Sequence, residues 1–217
     1  MSLAIDVVSD VVCPWCFIGK RHLESALKLY RERNPQAPEP KVAWHPFELN
    51  PDLPREGISR ADYIAKKFGP RGYNAHERLT HAGAQLGIPF AFDKIERQPN
   101  TLAAHALIEW ARRRGVQAAV KEALLKAFFV DGLDLTDSET LVQIAAGAGL
   151  DRKEAETAIA DGDLRRAVAE EEEKARTMGI QGVPFFIFNN RLAVEGAQPP
   201  DMLLEAMLEA EKESAAA

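Results

Sequence analysis

The two cysteines of the chain, Cys13 and Cys16, stand between an apolar run and an amphipathic segment. The run "LAIDVVSDVV" is rich in β-branched residues and predicts a buried strand. After Pro14, apolar residues recur at helical spacing, namely Ile18, Leu23, Leu27 and Tyr30. We therefore expect the pair where a strand ends and a helix begins, with Pro14 in the first turn, where its missing N–H costs nothing.

The remaining segments predict a strand–helix–strand unit, a helical block and a closing hairpin with a helix. "KVAWHPFELN" reads as the second strand, and helical patterns then fill the chain from about residue 58 to about 160, with almost no strand signal. Ser59, Asp137 and Asp151 are predicted N-caps. Strand character returns in "VPFFIFNNRLAVEG", with a hairpin turn at Asn189-Asn190, and "PPDMLLEAMLEAEKE" predicts a final helix. We expect the helical block, 58–160, to be inserted into one α/β domain made of 1–57 and 161–217.

Composition limits the classes of function. A chain of 217 residues and 24.0 kDa with 46% hydrophobic residues can bury a sizeable core without stabilising disulfide bonds. Its 27 basic and 33 acidic residues give a net charge of −6, which argues against nucleic acid as a partner. The first residues lack a secretory pattern, and no stretch is apolar enough to span a membrane. We expect a cytoplasmic protein, where thiols are kept reduced.

A Cys-x-x-Cys pair can be a structural staple, half of a metal site or a redox pair. As a staple it would contribute only about 2 kcal/mol on the chain-entropy model, because the loop it closes is short. A zinc site needs two more ligands, and His76 and His81 lie far along the chain. The redox interpretation is therefore favoured, and no metal is expected. The "EEEEK" run is predicted to be a solvated helix face, and the apolar Phe128, Phe129, Met202, Leu203, Met207 and Leu208 to be packing residues.

The chain resembles the DsbA-like branch of the thioredoxin superfamily along nearly its whole length. The segments that carry the resemblance are "DVVCPWCFIGKRHLE", "PFELNP", "NTLAAH" and "GVPFFIF", and they are most similar to FrnE-type proteins. The resemblance implies a thioredoxin-like α/β fold with a large helical insertion. It also implies that Pro184 is a cis-proline facing the cysteines, with the backbone of Val183 beside Cys13 and free to pair with an extended substrate.

The same resemblance implies a thiol–disulfide oxidoreductase, with disulfide isomerisation left open. Cys13, at the helix amino end, is expected to be the exposed attacking thiol, and Cys16 the resolving one. Pro14 and Trp15 shape the pair, and Trp15 supplies no positive charge. Proton transfer could involve Asp6, Glu24 or Glu48, among which the sequence does not choose. Asn100, Thr101 and His105 are either a plain helix start or the wall of a substrate pocket, and the plain start is favoured.

Two other functions stay open. One is a glutathione-dependent isomerase or transferase related to 2-hydroxychromene-2-carboxylate isomerases, although those relatives characteristically present serine where Cys13 stands. The other is a non-catalytic binding or chaperone-like role. No dinucleotide fingerprint, phosphate loop or nucleophile elbow is present, so no cofactor is expected beyond the redox-active disulfide itself. Expected partners are protein or small-molecule thiols and disulfides, with glutathione as a candidate co-substrate. The oligomeric state is left open.

Overall fold

A mixed four-stranded sheet lies at the centre of the computed structural model, which describes residues 2–69 and 72–215. The strands are β1 (Ala4–Ser9), β2 (Lys41–Pro46), β5 (Phe185–Phe188) and β6 (Leu192–Glu195). Their order in the sheet is β2-β1-β5-β6, with β1 parallel to β2 and antiparallel to β5. The sheet thus joins segments from both sides of the predicted insertion, as expected for the thioredoxin-like α/β fold that the resemblance implies.

Helix α1 (Pro14–Arg33) connects β1 to β2, and its apolar stripe faces the core. All four residues of the predicted stripe are buried, namely Ile18, Leu23, Leu27 and Tyr30. The closing helix α9 (Pro200–Ala215) packs along α1 and buries Leu203 and Met207, whereas Met202 is exposed. The prediction of Met202 as a packing residue is therefore wrong, because it lies on the solvent side of α9.

The segment between the two halves of the sheet is almost wholly helical. Its helices, with α8 following them, are α2 (Arg60–Phe68), α3 (Gly72–Gln85), α4 (Leu102–Arg113), α5 (Gln117–Lys126), α6 (Ser138–Gly147), α7 (Arg152–Ala160) and α8 (Gly162–Thr177). Ser59, Asp137 and Asp151 accept N-cap hydrogen bonds from Asp62, Thr140 and Glu154, as predicted. The segment also holds two short paired strands that the sequence did not predict, β3 (Ile58–Ser59) and β4 (Arg97–Gln98). The exact limits of the insertion stay a prediction.

The hairpin between β5 and β6 turns at Asn189 and Asn190, whose φ angles are 49° and 54°. Two successive residues in the left-handed region form the turn that best matches strand twist, and asparagine tolerates it. Phe128 and Phe129 lie in a short π-helix, Ala127–Asp131, and are buried in the core. Across 2–69 and 72–215, no helix combines the length and apolar character needed to cross a membrane.

Candidate active site

The cysteine pair lies where β1 ends and α1 begins. Cys13 is the N-cap residue of α1 in extended conformation, and Cys16 closes the first turn by donating its N–H to Cys13 O at 3.0 Å. Unpaired N–H groups and the helix dipole at such an end favour a thiolate. Both cysteines are free thiols, without a disulfide between them. Cys13 is only 4% exposed, and Cys16 is 1% exposed. The prediction of an exposed Cys13 is thus wrong in degree, although Cys13 remains the more accessible of the two.

The segment before β5 covers Cys13. The Val183–Pro184 peptide bond is cis, and Cys13 Sγ lies 3.4 Å from Val183 O, within hydrogen-bond distance for sulfur. This contact explains the burial of Cys13. Trp15, between the cysteines, is 44% exposed and forms part of the surface beside the pair. The structure therefore places Val183, next to Pro184, beside Cys13.

Behind the pair lies Asp10, a buried carboxylate that the sequence analysis did not select. Its Oδ2 accepts the Leu49 N–H at 2.8 Å, and its Oδ1 lies 3.3 Å from His105 Nε2. Burial alone would raise the pKa of Asp10, but the hydrogen bond and charge of His105, the Leu49 N–H and the charge of Lys121 together lower it. Asp10 is thus held as a carboxylate, three residues before Cys13 in a largely apolar run.

Lys121 supplies a positive charge to the same buried region and is 1% exposed. Helix α5 is fixed to β2 by Gln117, which bonds both the N–H and the carbonyl of Trp44, at 3.0 and 2.8 Å. Lys121 follows Gln117 by one helical turn, so it projects from the same face of α5. Burial lowers the pKa of Lys121, while attraction to Cys16, Asp10 and Cys13 opposes that shift.

The environment of Cys16 keeps it a thiol. Burial raises its pKa well above the ordinary value, the neighbouring Cys13 adds to this, and Lys121 and the backbone of Asp10 act against it. Ionising Cys16 therefore depends on the groups around it more than on solvent. The sequence signal for a charge beside Cys16 was Lys121 itself, because the apolar neighbours in "AAVKEALL" predict that this helix face is buried.

A second buried carboxylate, Glu48, follows β2 and faces the start of α4. Its Oε2 accepts the Thr101 N–H at 3.1 Å, and its own N–H donates to Glu172 Oε1 at 2.8 Å. Arg176 donates to the Glu48 carbonyl and to Glu172 Oε1, both at 2.6 Å. Burial, then Glu172 and then Asp10, raise the pKa of Glu48 to about 7. Glu172 belongs to the "EEEEK" run, so the prediction of a fully solvated face is wrong at this buried position.

The three predicted pocket residues do not form one open wall. Thr101 and His105 are each 2% exposed, and they contact Glu48 and Asp10. Asn100 lines a separate cavity of about 570 Å³ and accepts the Leu102 N–H at 3.1 Å. The open-pocket alternative is therefore wrong for Thr101 and His105, because α4 packs its first turns inward. His105 instead orients Asp10 behind the cysteines.

The remaining polar residues considered from the sequence, or their partners, contact other side chains. His45 is held between Asp6 Oδ1 at 2.7 Å and Glu171 Oε1 at 2.5 Å, and Glu24 pairs with Lys20 and Arg21. His76 and His81, weighed as zinc ligands, contact Phe92 and Gln85, respectively. The charge of Asp10, behind the cysteine pair, contributes to the raised pKa of Glu48.

The family model described as DSBA-like thioredoxin domain matches residues 4–208. The uncharacterized protein YwbO of Bacillus subtilis (strain 168) is 26% identical over 216 residues, which are 98% of this chain and 99% of that protein.

Two solved structures are similar over most of this chain. The probable DsbA oxidoreductase SCO1869 from Streptomyces coelicolor is 29% identical with a TM-score of 0.87, covering 97% of this chain and 91% of its own. The cytosolic disulfide reductase DsbM from Pseudomonas aeruginosa, solved with GSH, is 20% identical with a TM-score of 0.66, covering 95% and 99%. The second likeness shows the shared fold.

Proposed function

Because the chain belongs to the family of DSBA-like thioredoxin domains, we propose that it is a thiol–disulfide oxidoreductase whose redox pair is Cys13 and Cys16. The observation that carries this proposal is the position of Cys13 at the amino end of α1, with Sγ 3.4 Å from Val183 O. A helix amino end favours the thiolate, and the adjacent backbone can hold an extended substrate beside it. Pro14 and Trp15 shape the loop between the two sulfurs.

In the reducing direction, the Cys13 thiolate attacks one sulfur of a substrate disulfide. A mixed disulfide forms between Cys13 and the substrate, and the other substrate sulfur leaves as a thiolate. Cys16 then loses its proton and attacks Cys13 Sγ, which releases the second substrate thiolate. The substrate has gained two electrons, and Cys13 and Cys16 are joined as a disulfide. Oxidation of a dithiol follows the same steps in reverse.

The buried charges act on the second step. Burial raises the pKa of Cys16 and thus disfavours the thiolate that must attack. The positive charge of Lys121 opposes this effect and lowers the free energy of the Cys16 thiolate. Asp10, fixed by His105 and Leu49, balances Lys121 when both cysteines are neutral. Asp10 and Lys121 lie on the buried side of the cysteine pair, which leaves the surface near Trp15 and Val183 for the substrate.

The proposed substrates are protein or small-molecule disulfides, and glutathione is the proposed thiol that resets the pair. Two glutathione molecules would reduce the Cys13–Cys16 disulfide and leave as glutathione disulfide. DsbM, which shares the fold, is described as a cytosolic disulfide reductase and was solved with GSH. These points support a cytoplasmic setting for the proposed activity.

The test is equilibration of the purified protein with glutathione buffers, followed by insulin reduction with dithiothreitol. We expect a defined two-electron potential, and loss of insulin turnover in Cys13→Ser. Cys16→Ser is the matched variant, and we expect it to accumulate a mixed disulfide through Cys13. A potential near about −270 mV would indicate reduction and one near about −120 mV oxidation. Absence of exchange with both glutathione disulfide and insulin would refute the proposal.

A further inference from the structure

A cavity of about 1390 Å³ lies among α2, α3 and the chain around residues 90–96, apart from the cysteines. Its wall combines apolar side chains, such as Ile64, Phe90 and Ile95, with polar and charged ones. This volume exceeds the range of about 300–1,000 Å³ typical of small-molecule sites, so it can accept an organic ligand. We call it the ring-lined cavity.

Three aromatic rings in this cavity are stacked in nearly parallel planes. The His76 and Phe92 ring centroids are 4.5 Å apart at an interplanar angle of 8°, and those of Phe92 and Phe90 are 5.0 Å apart at 15°. Parallel rings leave flat faces and edges on which another planar ring can pack. Phe129 packs edge-on against Phe90, at 5.4 Å, and holds the stack from the core side. The wall therefore favours a planar, aromatic ligand.

Arg60 lines the same cavity and has a hydrogen-bond donor without an acceptor. It is half-buried, its guanidinium bonds Gln98 Oε1, and across the described residues it forms no ion pair with a carboxylate. Its Nε and the buried Gln98 Nε2 are donors with no acceptor in that part of the chain. Buried donors normally have partners, and a guanidinium binds anionic oxygens strongly. Arg60 therefore suits an acidic oxygen on a ligand.

The charge of Arg60 and the carboxylates in the wall limit the charge that a ligand can carry. Arg60 and His76 both line this cavity, so the guanidinium and the ring stack can act on one small molecule. Burial first, and then the charge of Arg60, lower the pKa of His76. Glu77, Asp93 and Glu96 are exposed carboxylates in the same wall. Three carboxylates there repel a ligand with several negative charges, whereas a single charge can be balanced at Arg60.

We propose that the ring-lined cavity binds a planar aromatic compound carrying one acidic oxygen group, with the ring against the His76–Phe92–Phe90 stack and the oxygens at Arg60. This site goes beyond the proposed redox function and does not depend on it. Because binding is the only readout needed, failure of the redox proposal and failure of this one are separate results.

The test is calorimetric titration of the full chain with 1-naphthoate near pH 7.5 in 0.15 M salt. We expect saturable binding at one site. Arg60→Gln should weaken it by about ten-fold or more, since a hydrogen bond to a charged group is lost. Phe92→Leu should weaken it about two- to ten-fold through loss of ring packing. Arg55→Gln, in the separate cavity, is the matched control that should bind as the parent does.

Two further probes keep the test decisive if Arg60→Gln fails to fold, as judged by circular dichroism. Cyclohexanecarboxylate has the same charge without a planar ring, and naphthalene-1,4,5,8-tetracarboxylate has the ring with several charges. Both should bind the parent protein at least ten-fold more weakly than 1-naphthoate. No saturable binding of 1-naphthoate, equal binding of cyclohexanecarboxylate, or binding unchanged in both Phe92→Leu and a folded Arg60→Gln would overturn the proposal.

Discussion

Gly19 and Pro184 are in direct contact across the interface between α1 and the segment that covers Cys13. A Cβ atom built on Gly19 would lie 2.8 Å from Pro184 Cγ and 3.3 Å from Phe186 Cζ. Cβ atoms do not approach other heavy atoms as closely as the first of these distances. The absence of a side chain at Gly19 therefore lets the Val183–Pro184 segment lie close enough for Val183 O to reach Cys13.

Gly19→Ala should separate these two parts of the protein. Overpacking of this kind typically costs about 1–3 kcal/mol, and here it also moves Val183 O away from Cys13. We expect a lower free energy of unfolding in urea and slower insulin reduction. Gly147→Ala is the matched control, because nothing lies within 4 Å of a Cβ at that helical position. It should be neutral or slightly stabilising, and a Gly19→Ala protein as stable and active as the parent would contradict the packing argument.

Lys121→Met should slow the release of substrate from Cys13. Without the buried positive charge, the pKa of Cys16 rises further, so fewer Cys16 thiolates are present at pH 7. A change of one pKa unit would slow resolution about ten-fold. The mixed disulfide with glutathione should therefore persist longer, as followed by mass spectrometry after rapid acid quenching, and the difference should shrink at higher pH. Lys126→Met, on the same helix and exposed, should resolve at the parental rate.

The local parts of this site could be predicted from the sequence, and the long-range parts could not. Proline after Cys13 and the helical stripe from Ile18 onward are properties of neighbouring residues, so the strand-to-helix junction was predictable. Lys121 acts on Cys16 from α5, far along the chain, whereas Asp10 acts on it through its backbone from just after β1. Their charges looked like breaks in apolar patterns, and only the docking of α5 on β2 brings them together. The burial of Cys13 was equally hidden, since Val183 covers it from the other half of the domain.

Glu48→Gln should change how stability depends on pH. The pKa of Glu48 is about 7 in the folded protein, against an ordinary value of about 4.3, so folding holds a proton that the unfolded chain releases. For this group, stability should therefore be greatest below about pH 4.3, decline as the pH rises from there to about 7, and level off above that, with a total loss of at most about 4 kcal/mol.

The measurement for Glu48 is urea unfolding at a series of pH values. The amide introduced by Glu48→Gln would keep an oxygen for the Thr101 N–H and remove the titration, so the variant should lose less stability than the parent between about pH 5 and pH 8. Glu173→Gln removes an exposed carboxylate near Glu172 and should follow the parental curve. Parallel curves for Glu48→Gln and the parent would exclude Glu48 as the source of the decline.

Trp15→His should make the cysteine pair more oxidising. An imidazolium between the cysteines would stabilise the Cys13 thiolate and thus the reduced state, whereas the Trp15 indole carries no charge. The side chain is 44% exposed, so solvent weakens the effect, and we expect the potential to rise by about 30 mV, a ten-fold change in the equilibrium constant. Equilibration with glutathione buffers at pH 6.5 measures it.

Trp15→Phe keeps an uncharged ring and should hold the parental potential, and the Trp15→His shift should diminish at pH 8, where a free imidazole is neutral. An equal rise in both variants would mean that ring size, and not charge, controls the pair.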